Sequence, residues 1–308
     1  MHVLIPFASA CSDEAVHVLR DLQLPVLARL LSTLLPTHRD AADASTLSPP
    51  HERALAAAWG WAGEDGAWPF AARAAAADGV DVGEAAWGLL TPAHWLTGRD
   101  HVTMLDPSAL ELDAAESRAL FDTLRPLFET EGFTFAWGAP LRWYVAHPDL
   151  AGLHCASLDR VIGGNVAPWS SASHAGRLLR RLQSEAQLAF YPHPINEARE
   201  ARGALTVNSF WVSGCGVHQA ERGDVDVVPS LRGPMLAADW AGWADAWRAL
   251  DRGALERLLA RCAAGEPVAL TLCGERHAQR FESGARPLWA RLASRWRAPT
   301  PHAVLEAL

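Results

Sequence analysis

Val3-Leu4-Ile5-Pro6-Phe7 is a short apolar run that ends at a proline and small residues, and this pattern predicts a buried first strand. Leu24-Pro25 is followed by leucines at helical spacing up to Leu35. This pattern predicts a helix that begins near Pro25 and ends at Pro36. Val268 to Leu272 is a second apolar run of strand length. Strands that alternate with helices favour an α/β fold with a mostly parallel sheet flanked by helices.

The middle of the chain has a different pattern. Residues 133–144 alternate and predict a β-hairpin, whereas residues 37–50 are polar and predict a loop. Further predicted helices are 51–59, 113–129 with Asp113 as its N-cap, 174–189, 237–249 and 254–264, and further predicted strands are 87–90 and 205–211. We therefore expect a discontinuous α/β core of residues 1–60 and 186–308, with an α+β cap inserted over residues 61–185.

The composition limits the classes of protein. The chain has 308 residues, which is enough for a large α/β domain with a sizeable core. All 27 basic residues are arginines, so lysine chemistry such as a Schiff base or a P-loop lysine is excluded. The net charge is −8, and the densest basic cluster, Arg177, Arg180 and Arg181, has a helical spacing typical of a solvated face. Nucleic acid is therefore not a predicted partner.

The cysteines and the apolar runs bear on the compartment. Five cysteines are an odd number without a CxxC pair, which argues against a disulfide framework and a structural zinc site. No apolar run approaches the ~20 residues of a membrane span, and the first residues lack the pattern of a signal peptide. We expect a cytoplasmic protein with free thiols and no membrane partner. Cys215 lies between two glycines, where a small buried residue is favoured over a reactive thiol.

The segment from His193 to Gly216 is rich in groups that bind anions. Arg199 and Arg202 lie about one turn apart on a predicted helix, so their guanidinium groups could clamp a phosphate or a carboxylate. Gly214-Cys215-Gly216 follows a predicted strand and would allow backbone N–H groups to face an anion. The alternative is an ordinary helix, strand and turn with arginines on the surface.

This segment also resembles a known family. Its residues match the motif HPxNxxRxxxGxxxxNxxWxxGxG of the cofactor-independent, archaeal-type phosphoglycerate mutases without a gap over 24 residues. Phe133 to Gly138, with Arg142, is similar to the FxFxxGxxxR segment of the same mutases. Weaker similarity covers most of the chain, and the whole sequence resembles the bacterial RpfE-type regulatory proteins. The resemblance implies the alkaline phosphatase superfamily, here with a reduced core and an inserted cap.

The chain departs from that family where the mutases hold two divalent metal ions and a Ser or Thr nucleophile. The mutases have an Asp after the first strand, but here Pro6-Phe7-Ala8-Ser9 follows it. Where the family has an Asp-His pair, this chain has Cys273-Gly274-Glu275-Arg276-His277. Two-metal phosphoryl transfer needs carboxylates to hold the ions. We therefore predict that the mutase chemistry is lost while an anion-binding pocket persists, with no assigned catalytic residue, metal site or cofactor.

Smaller constellations favour structural roles. Glu275 and His277 could bind one metal ion or act as a base, but such a pair at a strand end is more often on the surface. Ser9 or Ser12 could replace the nucleophile, but no base is assigned to either. Trp240, Trp243 and Trp247 lie on one helix face, which favours a place in the core or in a subunit interface over ligand stacking.

The leading hypothesis is a phosphoglycerate mutase-like, catalytically degenerate protein that binds a small phosphorylated or carboxylated metabolite in a regulatory role. The predicted ligand-binding residues are Arg142, Arg199 and Arg202, which would hold the anion, and His193, Asn196 and Asn208, which would shape the pocket. One alternative is an active phosphoglycerate mutase or phosphatase that uses Mn²⁺ or Mg²⁺ with atypical ligands. Another is a protein-interaction module with a Trp-rich surface. A homo-oligomer is left open.

Overall fold

The computed structural model describes residues 1–284 and 300–308, and these divide into two compact units. The first comprises residues 1–45, 49–60 and 221–308, and the second comprises residues 46–48 and 61–220. From the sequence we predicted that the chain re-enters the core at residue 186. That residue lies within the helix His174–Phe190 of the second unit. Residues 186–220 belong to the second unit because the strand Ser209–Val217 pairs there with the strand Ala86–Ala93.

The helices and strands are labelled in chain order. The strands are β1 (His2–Ile5), β2 (Leu35–Asp40), β3 (Ala86–Ala93), β4 (Trp95–Thr97), β5 (Val102–Met104), β6 (Thr134–Ala139), β7 (Arg142–Ala146), β8 (Ser209–Val217), β9 (Asp226–Val227), β10 (Ala269–Cys273) and β11 (Ala278–Glu282). The helices are α1 (Asp13–Asp21), α2 (Pro25–Thr33), α3 (Pro50–Trp59), α4 (Phe70–Ala77), α5 (Ala114–Thr130), α6 (Leu158–Val161), α7 (His174–Phe190), α8 (Pro194–Ala201), α9 (Arg232–Leu236), α10 (Trp240–Leu250), α11 (Glu256–Ala263) and α12 (Pro301–Glu306). One π-helical turn, Asp251–Leu255, joins α10 to α11.

The sheet of the first unit is mixed, in the order β2-β11-β10-β1-β9. β1 runs parallel to β10 and to β9, but β11 runs antiparallel to both β10 and β2. The prediction of a mostly parallel sheet is therefore corrected. β10 returns as β11 through a tight turn in which the amide of Gly274 donates to the carbonyl of His277 at 2.9 Å, and so short a connection can join only antiparallel strands.

β2 occupies part of the segment that was predicted to be a loop, residues 37–50. Most of its side chains are exposed, since it lies at the edge of the sheet. An exposed edge strand needs no apolar alternation, so polarity alone could not distinguish it from a loop.

The core of the first unit packs helices against β1 and β10. Trp243 and Trp247 are fully buried in it, and Trp240 packs against it, which confirms that this helix face fills core. The indole Nε1 of Trp243 donates to the carbonyl of Phe7 at 3.0 Å. The predictions of strands at residues 3–7 and 268–272 and of the helix that follows Leu24 are confirmed as β1, β10 and α2.

Asp251, in the π-helical turn, supplies the missing cap of another helix. Its carboxylate accepts from the amides of Val26 at 3.1 Å and Leu27 at 2.8 Å, in the first turn of α2. The N-cap residue of α2, Leu24, has no side chain that could accept these bonds. A buried carboxylate at this position also faces the positive end of the helix dipole.

We expect Asp251→Ala to lower the free energy of unfolding by about 2 kcal/mol, because one buried and one partly buried amide lose their acceptor. Asp245→Ala is the matched control, since Asp245 is an exposed residue of α10 that pairs with its neighbour Arg248. Urea denaturation of both variants measures the difference. Equal losses in the two variants would contradict the capping role.

The second unit is built on a sheet in the order β6-β7-β3-β8, whose described pairs are all antiparallel. Alternate residues of β7 face opposite sides: Trp143 and Val145 pack with α5 and α7, whereas Tyr144 and Ala146 pack with α4. Helices therefore cover both faces of this sheet. The predicted hairpin at residues 133–144 is confirmed, and Asp113 caps α5 as predicted, accepting from two amides at 2.8 Å.

A short ribbon of β4 and β5 completes the second unit. The predicted strand at residues 205–211 begins later, at Ser209, and continues to Val217. No described helix is long and apolar enough to cross a bilayer.

Candidate functional site

His193 opens helix α8 of the anion-rich segment. Its Nδ1 accepts from the amide of Ile195 at 3.2 Å, which makes it the N-cap of the helix. Its Nε2 lies 3.0 Å from the hydroxyl of Thr123 on α5. Partial burial lowers the pKa of the imidazole, so the neutral ring that these two contacts require is favoured.

Asn196 and Asn208 hold backbone segments together. The Asn196 amide donates to the carbonyls of Phe190 at 2.8 Å and Val207 at 2.7 Å, and its oxygen accepts from the amide of Val207 at 3.0 Å. Asn208 pairs with both backbone groups of Trp95 at 2.7 and 2.9 Å, as a neighbouring strand would. Each side chain thus fixes the shape of the loop around it.

Arg199 is 1 % exposed and lies at the centre of the segment. Its guanidinium donates to the carboxylate of Glu116 and to the carbonyl of Leu110, and its Nε donates to the carbonyl of Leu205 at 2.6 Å. Arg202 is half exposed and donates to the other oxygen of Glu116. The predicted guanidinium clamp does exist, but it closes on a carboxylate of the protein itself.

Arg142 has a different partner. Its Nε and Nη2 donate to the two oxygens of Asp78, each at 2.8 Å, and the hydroxyl of Tyr144 donates to Asp78 at 2.6 Å. Hydrogen bonding to Arg142 holds the pKa of the Asp78 carboxyl below its usual range. A Cβ on Gly138 would lie 2.4 Å from Asp78, so this glycine leaves room for the carboxylate.

Gly214-Cys215-Gly216 lies within β8 and forms a β-bulge. Trp87 of β3 faces Gly216 and Leu89 faces Ser213, so Gly214 and Cys215 together oppose one residue, Gly88. Gly214 has a φ of +64°, which a glycine adopts without strain. The glycines that suggested an anion-binding turn are therefore explained by the bulge.

An open cleft of about 570 Å³ lies beside this segment in the second unit. Asn196 and Asn208 line it, whereas the other four predicted ligand residues are absent from its described walls. The remaining lining residues come mainly from the face of α7 and from β4: Trp95, Thr97, Val102, Arg180, Gln183, Ser184, Gln187, Tyr191, Glu200 and Thr206. The structure therefore brings together only two of the six predicted residues at a cavity.

The polar face of α7 was not among the predicted site residues. Arg180, Gln183 and Gln187 recur at helical spacing and could have been recognised as one face. Arg180 was instead assigned to a solvated cluster. In the described part of the chain its guanidinium makes one hydrogen bond, from Nη1 to the carbonyl of Ser171.

The first unit carries Glu275 and His277, which the sequence offers as candidates for a metal site. Glu275 accepts from the amide of Cys11 at 2.8 Å, so its carboxylate ties the turn after β10 to the loop after β1. The buried Nδ1 of His277 has no hydrogen-bond partner among the described residues. Across residues 1–284 and 300–308, no three His, Cys, Asp or Glu side chains are grouped to hold a metal ion.

No protein-family model and no curated protein matches this sequence. Two solved structures are similar to the chain at low identity. The cofactor-independent phosphoglycerate mutase from Thermoplasma acidophilum is 15% identical over 100% of this chain and 98% of its own, with a TM-score of 0.38. The PH0037 protein from Pyrococcus horikoshii is 11% identical over 92% of this chain and 87% of its own, with a TM-score of 0.46. The resemblance to RpfE-type regulatory proteins stays a prediction.

We expect Glu116→Gln to lower the free energy of unfolding by about 3 kcal/mol, because buried Arg199 then lacks a counter-charge. Glu129→Gln on the same helix is the control, since Glu129 is half exposed and pairs loosely with Arg125 at 3.7 Å. That change should stay within about 0.5 kcal/mol. Chemical denaturation compares the two. A small loss in both variants would contradict the central role of Glu116.

The pair of Asp78 and Arg142 should stabilise the protein in a pH-dependent manner. Because the folded pKa of Asp78 is depressed, its contribution is present above the unfolded value of about 3.9. It is lost as the pH falls through the lower folded pKa. We therefore expect Asp78→Asn to be less stable than the wild type at neutral pH. This gap, the difference in the free energy of unfolding between the two proteins, should narrow in acid.

Denaturation curves recorded from neutral pH down to below about 3 measure this gap. Asp81→Asn, at an exposed position three residues along the chain, should show no such dependence. A gap that is constant with pH would refute the assignment to Asp78.

Proposed function

We propose that this chain is a phosphoglycerate mutase-like, non-catalytic protein that binds a small phosphorylated or carboxylated metabolite in a regulatory role. The observation that carries the proposal is the open cleft of the second unit, where Arg180 faces the same cavity as Asn196 and Asn208. The cleft volume of about 570 Å³ suits a small-molecule ligand.

Arg180 supplies the positive charge. Its Nη1 donates to the carbonyl of Ser171, which orients the guanidinium and leaves its other N–H groups for a ligand. A planar guanidinium binds carboxylate or phosphate oxygens in pairs, so an anionic group is the chemistry that this side chain recognises.

The other walls of the cleft supply neutral hydrogen-bonding groups. Gln187, Ser184 and Thr206 can donate to or accept from hydroxyl groups of a ligand. Glu200, also in the wall, favours a ligand that carries a hydroxyl or an amino group as donor. Asn196 and Asn208 use their amides on backbone groups, so they hold the shape of the cleft instead of contacting the ligand.

Residues of the first unit favour binding over catalysis. The loop after β1 has Pro6 to Ser9 where the mutases have an Asp, and Glu275 is engaged with a backbone amide. The alternative of a Trp-rich docking surface loses its main support, because Trp243 and Trp247 are buried in the core. A small-molecule binding protein is the hypothesis that these contacts support best.

A thermal-shift assay with 3-phosphoglycerate and with inorganic phosphate, each with and without Mg²⁺ or Mn²⁺, tests the proposal. Ligand at 100 times its dissociation constant should add about 2.7 kcal/mol of stability. We expect metal-independent stabilisation of the wild type and its loss in Arg180→Ala, because the anion then lacks its cation.

Arg177→Ala is the matched control. Arg177 lies on the same helix, is exposed, and donates to the carbonyl of Ala172, but it does not line the cleft. This variant should keep the full shift. Equal shifts in both variants would place the ligand elsewhere, and a shift that needs the metal ion would favour the enzyme hypothesis.

A further inference from the structure

Two free cysteines of the second unit lie side by side in its core. The sulfur atoms of Cys155 and Cys215 are 3.4 Å apart, although the residues are 60 positions apart in the chain. A disulfide bond joins sulfur atoms at about 2.05 Å, so bond formation needs an approach of little more than about 1 Å. We propose that Cys155 and Cys215 are a redox-active dithiol that a small peroxide oxidises to a reversible disulfide.

The β-bulge of β8 determines where Cys215 points. Gly214 and Cys215 oppose the single residue Gly88, so the extra residue re-aims the thiol against β3. A Cβ on Gly88 would lie 3.1 Å from the sulfur of Cys215, tighter than nearly all such contacts. The glycine opposite the bulge therefore leaves the space that this sulfur occupies.

Cys155 is the partner that can move. It lies in an irregular segment before α6, and its backbone is anchored by a bond from its amide to the carbonyl of Gly66 at 2.9 Å. Cys215 is instead held by the β3–β8 ladder. The approach that a disulfide requires is therefore assigned to the Cys155 side chain and its irregular segment.

Access also differs between the two thiols. Cys155 lines a cavity of about 40 Å³ together with Ala156, Trp169 and Trp211, and Cys215 does not line it. The cavity is open to solvent, and Cys155 is 9 % exposed whereas Cys215 is 1 % exposed, so a small reagent such as hydrogen peroxide reaches Cys155 first. Cys155 is therefore the residue that meets the peroxide.

The contact between the thiols assigns their order of reaction. The hydrogen bond between the two thiols, together with burial, raises the pKa of the Cys215 thiol, so Cys215 keeps its proton. Cys155 is thus the attacking residue and Cys215 the resolving residue.

The reaction consumes one peroxide. The Cys155 thiolate attacks one peroxide oxygen, the O–O bond breaks, and the departing hydroxide takes up a proton as water. The resulting sulfenic acid is then attacked by the sulfur of Cys215, the S–O bond breaks, and a second water leaves with the proton of Cys215. Two thiols are oxidised to one disulfide and the peroxide is reduced to two waters. An external dithiol reverses the step by thiol–disulfide exchange.

The test uses the reduced full chain, titrated with hydrogen peroxide and quenched with N-ethylmaleimide. We expect the number of alkylated thiols under denaturing conditions to fall from five to three, because two of the five cysteines are consumed. Peptide mapping should find residues 155 and 215 cross-linked, and dithiothreitol should restore both thiols. This outcome is independent of whether the cleft binds a metabolite.

Two variants sharpen the test. Cys215→Ala should leave Cys155 as a sulfenic acid that dimedone traps, whereas Cys262→Ala, which removes a half-buried thiol elsewhere, should still form the cross-link. Mapping of the wild type decides the question if the first variant does not fold. Full alkylation of residues 155 and 215 at peroxide doses that oxidise exposed Cys11 would overturn the proposal, and so would a cross-link between other cysteines.

Discussion

The second unit depends on one buried guanidinium. Arg199 is almost wholly excluded from water, so its donors must be matched by protein acceptors, or its charge would be unsupported. The acceptors are Glu116 on α5, the carbonyl of Leu110 before that helix, and the carbonyl of Leu205 before β8. One side chain therefore joins α8 and the segment before β8 to Glu116 and Leu110, which lie 83 and 89 residues earlier in the chain.

Much of the local structure could be predicted from the sequence because it depends on short-range patterns. The cap of α5 at Asp113, the hairpin of β6 and β7, and the buried tryptophans of α10 all follow from residue type and spacing. The assignment of residues 186–220 to the second unit could not be predicted in this way. It depends on the pairing of β8 with β3, which lies more than 100 residues earlier in the chain, and no local pattern encodes that choice.

The partners of the candidate-site residues could not be predicted from the sequence either. The motif from His193 to Gly216 was recognised as unusual, and its residues are indeed committed to specific contacts. What residue type and spacing could not reveal is the partner of each one: Glu116 lies 83 residues before Arg199, and Asp78 lies 64 residues before Arg142. The arginines therefore satisfy internal carboxylates, while the face of α7 that lines the cleft was hidden within an ordinary amphipathic helix.

The π-helical turn at residues 251–255 makes the first unit sensitive to the deletion of a single residue. Such a turn accommodates one more residue than an α-helix would, and each residue of an α-helix advances the rotation by about 100°. The extra residue therefore sets the phase between α10, which buries Trp243 and Trp247, and α11, which buries Leu258. Shortening this turn by a single residue would keep the composition almost unchanged, yet it would turn the apolar side of one helix away from the core that the other helix enters.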